Sequence, residues 1–211
     1  MSLKIGDTAP DFSAKTTQGN IHFYDWLGDK WAILYSHPAD FTPICTTELG
    51  RTAQLKEEFE KRDTKVLAIS VDDIDSHQNW VKDINQTQNT KVEFPIIADT
   101  DQEISRLYAM IHDNVSTSVT VRSVYFIGPD KRIKANITYP ASTGRNFTEI
   151  LRVLDSLKLT AEYSVGTPAD WVDGQDVIIS TSIKNEEIAA RFPKGHQSIN
   201  SYLRYTPQPN R

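Results

Sequence analysis

Trp31-Ala-Ile-Leu-Tyr35-Ser-His-Pro-Ala-Asp-Phe-Thr-Pro-Ile-Cys45 runs from an unbroken apolar stretch through a proline-punctuated loop to a helix start. Five consecutive apolar residues from Trp31 read as a strand covered on both faces, because a strand with one wet face would alternate. Residues 45–61 read as a helix with Leu49, Ala53 and Phe59 turned inward. Lys65-Val-Leu-Ala-Ile-Ser-Val71 is a second near-continuous apolar run. Two buried strands joined through a helix are the unit of a parallel sheet, and this unit sets an α/β fold.

The rest of the chain extends that unit. Upstream, an apolar stretch ends at Phe12, Gln18-Gly19-Asn20 supplies a turn, and Ile21-His-Phe-Tyr24 returns, which predicts a small hairpin. Downstream, His77, Trp80, Val81 and Ile84 fall at helical spacing, and Pro95-Ile-Ile-Ala98 reads as a short strand. Thr100 and Glu103 suit a capping box before Ile104, Leu107, Tyr108 and Ile111. Strands are predicted at Val121 to Ile127 and Arg132 to Tyr139, joined through Gly128-Pro-Asp-Lys131. In the second of these, Ile133, Ala135, Ile137 and Tyr139 alternate with polar residues, so one face is wet. A last helix carries the stripe Phe147, Ile150, Leu151, Leu154 and Leu157, with Asn146 and Glu149 as its cap. The order is hairpin, then β-α-β-α-β-α-β-β-α: a mixed sheet flanked by helices. Residues 1–160 form this domain. Residues 161–211, with few apolar anchors, are expected to lie as an extension against it or against a second subunit.

Composition narrows the function. The 211 residues carry a net charge of −5 and no basic stripe interleaved with aromatics, which argues against a nucleic-acid binder. No stretch approaches the roughly 18 apolar residues of a membrane span. The N-terminal residues lack the apolar core of a signal peptide, so a cytoplasmic protein is expected.

Cys45 is the only cysteine, which excludes an internal disulfide. Thr42 suits an N-cap and Pro43 the first helical position, so Cys45 falls at N3. Unpaired backbone N–H groups and the helix dipole favour negative charge there, and the expected state of the sulfur is a thiolate. A cation should complete the stabilisation. Arg122, in Val119-Thr-Val-Arg-Ser-Val-Tyr-Phe-Ile127, is the candidate, because strand alternation puts it on the face of Val124 and Phe126. Ionisation alone gains only about 30-fold, since a free thiol is about 3% ionised at pH 7. A fast catalyst must also stabilise charge on a leaving oxygen, and the Thr42 hydroxyl, Arg122 and backbone N–H groups could do so.

Other chemistries fit less well. A lone cysteine is commonly a small buried hydrophobe, but this one is flanked by Thr46, Thr47 and Glu48. Glu48 stands where the second cysteine of a Cys-x-x-Cys pair would be. A cysteine hydrolase needs a base beside the thiol; His37 is near in sequence, but at no recognised spacing. The five histidines are scattered with no pair at ligand spacing, so neither metal nor cofactor is called for.

Pro38-x-x-x-Thr42-x-x-Cys45 resembles the active-site signature of the peroxiredoxins. The run Ser36 to Gly50, Thr120-Val-Arg-Ser-Val, Tyr139 to Phe147 and Tyr202-Leu-Arg-Tyr-Thr-Pro207 are similar to the one-cysteine subgroup. The resemblance implies a thioredoxin-like fold with a C-terminal extension, and a homodimer in which that extension reaches over the partner. It also implies a thiol-specific peroxidase reducing hydrogen peroxide and organic hydroperoxides. Cys45 would become a sulfenic acid, Thr42 would orient thiolate and peroxide, and Arg122 would hold the thiolate and polarise the peroxide. Pro38 would shield the site, with His37, Glu48 and Arg145 as polar neighbours of the substrate pocket. With no second cysteine, an external thiol such as glutathione or a thioredoxin-like protein would reduce the sulfenic acid. Some one-cysteine members also carry a phospholipase Gly-x-Ser-x-Gly element; here the stretch is Gly28-Asp-Lys30-Trp-Ala32, Tyr24 replaces the paired histidine, and only Asp130 survives. No lipase activity is expected. The alternative to an enzyme is a peroxide sensor or redox-switched holdase without significant turnover.

Overall fold

The computed structural model describes residues 3–211, and the chain forms two compact units that divide between Phe147 and Thr148. The first contains a seven-stranded sheet ordered β2-β1-β5-β4-β3-β6-β7. Its centre is the predicted unit: β3 (Trp31–Ser36), α2 (Pro43–Gln54) and β4 (Thr64–Ser70), with β3 and β4 parallel from Trp31↔Thr64 to Ser36↔Ile69. Every residue of β3 is buried, as its unbroken apolar run requires. β4 pairs in parallel with β5 (Ile96–Ala98), while β6 (Arg122–Ile127) runs antiparallel to β3, and β7 (Ile133–Tyr139) antiparallel to β6. The sheet is mixed and flanked by helices, as the element order predicts.

Alternation along these strands divides the core. Leu34, Leu67, Ile69, Tyr125 and Ile127 pack on one face with Phe12, Phe23 and Tyr108. Tyr35, Val124 and Arg122 share the opposite face by the period of two and the Tyr35↔Val124 register. There the Tyr35 hydroxyl donates to Thr52 Oγ1 of α2 at 3.1 Å.

Local departures from the sequence reading have local causes. The hairpin is β1 (Ser13–Thr16) with β2 (Gly19–His22), but Phe23 and Tyr24 open a helical turn, α1 (Phe23–Leu27), instead of continuing the strand. Phe23 and Leu27 are thereby both buried. The helix after Cys45 breaks at Leu55, and α3 (Lys56–Lys61) resumes beyond it. Thr100 caps nothing at α5 (Glu103–Leu107). The buried Asp99 carboxylate instead accepts from the backbone N–H groups of Ile104 (3.0 Å) and Ser105 (2.7 Å).

The second unit includes α6 (Phe147–Glu162) from its second residue onward and a four-stranded sheet ordered β10-β11-β9-β8. Its strands are β8 (Val165–Gly166), β9 (Val177–Ile179), β10 (Gln197–Ser198) and β11 (Arg204–Thr206), with α7 (Asn185–Arg191) between β9 and β10. It holds its own apolar cluster of Leu159, Val165, Trp171, Val177, Ile179, Ile183, Ile188 and Phe192. The expectation of a segment too poor in anchors is therefore corrected: with Leu159 of α6, residues beyond 160 form an apolar cluster whose members lie on β8, β9, α7 and the loops between them, with no periodic run to reveal them. No helix among the described residues is long and apolar enough to cross a membrane.

Candidate active site

Cys45 is the third residue of α2, behind Thr42 at the N-cap and Pro43 at the first helical position, and it is wholly buried. Thr42 has the extended backbone of an N-cap, but its hydroxyl donates to the Ala39 carbonyl at 2.8 Å and its side chain caps no helix N–H. The positive end of α2 is therefore left open to another anion.

Arg122 opens β6 beside β3, and its side chain is 3% exposed. Its guanidinium is fixed by a fork, Nε and Nη2 both donating to the Ala141 carbonyl at 3.0 and 2.7 Å. Nη1 donates to Cys45 Sγ at 3.2 Å and to Glu48 Oε2 at 2.7 Å. One Nη2–H remains without an acceptor among the described residues.

Glu48 follows Cys45 by three positions on α2, so both face the same way. Its carboxylate accepts from Arg145 N and Nε at 2.8 and 2.9 Å through Oε1, and from Arg145 Nη2 at 2.5 Å through Oε2. Burial works to raise its pKa, but the Arg145 hydrogen bonds and the two guanidinium charges prevail and hold it below the usual carboxylate range. Arg145 stacks 4.4 Å from the Tyr35 ring and donates to the Ser36 carbonyl at 2.8 Å. Two guanidiniums and one carboxylate leave this buried cluster one positive charge in excess beside the Cys45 sulfur. Glu48 and Arg145 are thus central to the geometry, more than their sequence reading as pocket neighbours suggests.

The loop from Ser36 to Thr42 carries Pro38, half-buried, and is anchored through its neighbours. Thr120 Oγ1 donates to the His37 carbonyl at 2.8 Å, and the Asp40 N–H donates to Asp72 Oδ2 at 3.0 Å. The Asp40 carboxylate accepts from His37 Nε2 (3.0 Å), His77 Nδ1 (2.7 Å) and Ser76 Oγ (2.8 Å). Burial would raise the Asp40 pKa, yet the two imidazoles hold it well below the carboxylate range. Phe41, between Asp40 and Thr42, has a left-handed backbone (φ 51°) and an exposed ring. That conformation costs about 1–3 kcal/mol and persists because anchors on both sides over-determine it.

Asp40 and His77 were not singled out in the sequence, because His77 lies on α4 (Ile74–Thr87), far along the chain from the loop. Together with His37 they bring potential metal-ligand atoms within 4.8 Å, which spacing along the chain does not show. Since both rings already donate to Asp40, the arrangement is a hydrogen-bonded network. Its Nε2–H bond to Asp40 leaves His37 Nδ1 a bare, buried acceptor with no partner among the described residues.

His37 makes stability depend on pH. Burial, the largest cause, lowers its pKa despite the Asp40 carboxylate. A histidine held neutral in the fold takes up a proton on unfolding, so its contribution is present above the unfolded value near 6.5 and is lost as pH falls. The melting temperature is expected to decline from about pH 6.5 downward, ahead of the carboxylate transition below about pH 4. Calorimetry of wild type and His37→Gln checks this: the early decline should vanish in the variant.

The profile of the AhpC/TSA family matches residues 5–136. The chain is 58% identical to the 1-Cys peroxiredoxin of Dictyostelium discoideum over 209 residues, covering 99% of this chain and 87% of that protein. It is 51% identical to peroxiredoxin-6 of Homo sapiens, covering 98% of each. Among solved structures, a mutant of the peroxiredoxin 6 of Arenicola marina superposes with a TM-score of 0.93 at 44% identity over the whole of both chains. A yeast mitochondrial 1-Cys peroxiredoxin, whose structure addresses thiol resolution via glutathione/thioredoxin systems, gives 0.91 at 46% identity, covering 97% of this chain and 99% of that one.

Proposed function

The chain belongs to the AhpC/TSA family and along its whole length to the 1-Cys peroxiredoxins; from that premise we propose how its residues divide the work of a thiol peroxidase. The Cys45 thiolate attacks the terminal oxygen of a hydroperoxide, an S–O bond forms as the O–O bond breaks, and the sulfur becomes a sulfenic acid that keeps the proton of that oxygen. The departing alkoxide or hydroxide takes a proton and becomes alcohol or water. An external thiol then condenses with the sulfenic acid, releasing water and forming a mixed disulfide that a second thiol reduces.

The contact that carries this reading is Arg122 Nη1 on Cys45 Sγ at 3.2 Å, within a cluster holding one surplus positive charge. Arg122 stabilises the thiolate, and its uncommitted Nη2–H is available to the leaving oxygen. The Thr42 hydroxyl, its own proton given to Ala39, offers lone pairs to the hydroperoxide O–H. Glu48 and Arg145 hold the arginine's angle, while Pro38 and His37 wall the loop side. Glutathione and a thioredoxin-like protein are both suitable reductants.

Turnover separates this enzyme from a sensor or holdase. With excess dithiothreitol each chain should consume many equivalents of peroxide; consumption that stops at one equivalent would leave a sensor. Mass spectrometry after stoichiometric peroxide should find the mass of one added oxygen on Cys45, removed by the effective reductant.

We also infer a homodimer. β7 ends the sheet, and beyond Ile133 its outer side pairs with no strand among the described residues, an edge that a second subunit would cover. Phospholipase activity is not expected, since Lys30, in the nucleophile's place, pairs with Asp63 at 2.8 Å and Asp130 with Lys134 at 2.6 Å. The Tyr24 hydroxyl donates to the Ala9 carbonyl.

A further inference from the structure

Beside the start of β4 lies a cavity of about 320 Å³, walled also by Lys30 just before β3, by the end of α2, by α3 and by the segment entering β5. Thr52 and Ala53 of α2 line it about two helical turns, or roughly 10 Å, beyond Cys45. Its volume is at the lower end of small-molecule sites, and its apolar walls include the rings of Trp26, Phe59 and Phe94.

The charges around it are unevenly paired. Lys30 is bonded to Asp63, and Lys56 and Lys91 share Glu93 at 2.6 and 2.5 Å. Lys65 has no carboxylate within ion-pair distance among the described residues. Its ammonium lies 5.0 Å from the centroid of the Trp26 ring and donates to the Trp26 carbonyl, which occupies one of three N–H bonds. Burial, then the nearby Lys30 charge, lowers its pKa against the opposing pull of the Asp63 carboxylate, which is itself bonded to Lys30.

We propose that this cavity is a second ligand site, for a small organic monoanion with a flat apolar body. The carboxylate or sulfonate would take the two open N–H bonds of Lys65, and the body would pack on the aromatic wall. An anion suits the site because one cation there is uncompensated, and an aromatic body suits it because a bare phosphate would leave the rings wet. The site needs no residue of the peroxide machinery.

Anilinonaphthalene sulfonate is a suitable probe, titrated calorimetrically into the full-length native protein. Saturable binding at one site per chain is expected. Lys65→Gln, which keeps much of the stem and removes the charge, should weaken it at least about tenfold, and Lys65→Arg should retain it. Neutral anilinonaphthalene should bind at least about tenfold more weakly than the sulfonate. Peroxide turnover should be unchanged in both variants. Absence of saturable binding to wild type would overturn the proposal. So would equal affinity in folded Lys65→Gln, or equal affinity for the neutral probe, either of which would mean that Lys65 recognises no anion.

Discussion

Cys45→Ser is expected to reduce peroxide consumption to the uncatalysed rate while leaving the protein folded. A serine hydroxyl is not ionised at neutral pH, so the nucleophile is lost outright. The fold should tolerate the change, because the serine oxygen can still accept from Arg122 Nη1 and the α2 start depends on Thr42 and Pro43. No cavity forms, but the neutral serine leaves the surplus positive charge beside Arg122 without its anion, so a loss of about 1–3 kcal/mol is expected in a chain that still folds. Thermal melts and a peroxide assay with dithiothreitol check both halves. Residual turnover in a protein with an unchanged melt would place the chemistry away from this sulfur.

Arg122→Ala should slow oxidation of Cys45 by about 10²–10³, the usual effect of removing a preorganised donor at a developing oxyanion. Loss of thiolate fraction explains at most about 30-fold of this at pH 7. Stopped-flow oxidation measured beside thiolate absorbance separates the two contributions. A rate that merely followed the thiolate fraction would reduce Arg122 to a counter-ion. Lysine is not expected to rescue, because a single ammonium cannot make the fork on the Ala141 carbonyl while also reaching sulfur and Glu48. Glu48 keeps its contacts with Arg145 in either variant, so the buried carboxylate stays paired and the stability loss stays moderate.

The parts of this molecule legible in its sequence are those encoded by short-range pattern. The apolar runs at Trp31 and Lys65 announce doubly covered strands, and Thr42-Pro43 announces the helix end beneath Cys45. Arg122 could be placed on the right face because a strand's side chains alternate. The Glu48–Arg145 pairing has only a partial signal, the three-residue offset of Glu48 from Cys45, since Arg145 arrives from a loop beyond β7. The His77–Asp40 contact has none: it joins the loop to a helix beyond the next strand, and His77 in an apolar stripe reads as core. The second unit's cluster around Trp171 escaped for a similar reason, its members being scattered singly between short elements. The break at Leu55 and the capping by Asp99 depend on packing and on one buried carboxylate, which propensity does not register.

A sulfur with no surface in contact with water admits some partners and refuses others by size alone. A hydroperoxide presents two small oxygens and can slip in; a tripeptide or a protein thiol must bring a sulfur with substituents attached. Reduction by such a thiol is therefore expected to require the beginning of the second helix to open, which amide exchange at that helix in the presence of peroxide would register. Attack and recovery would then use two shapes of one chain, and the rate of that opening would set how long each sulfenate waits for its reductant.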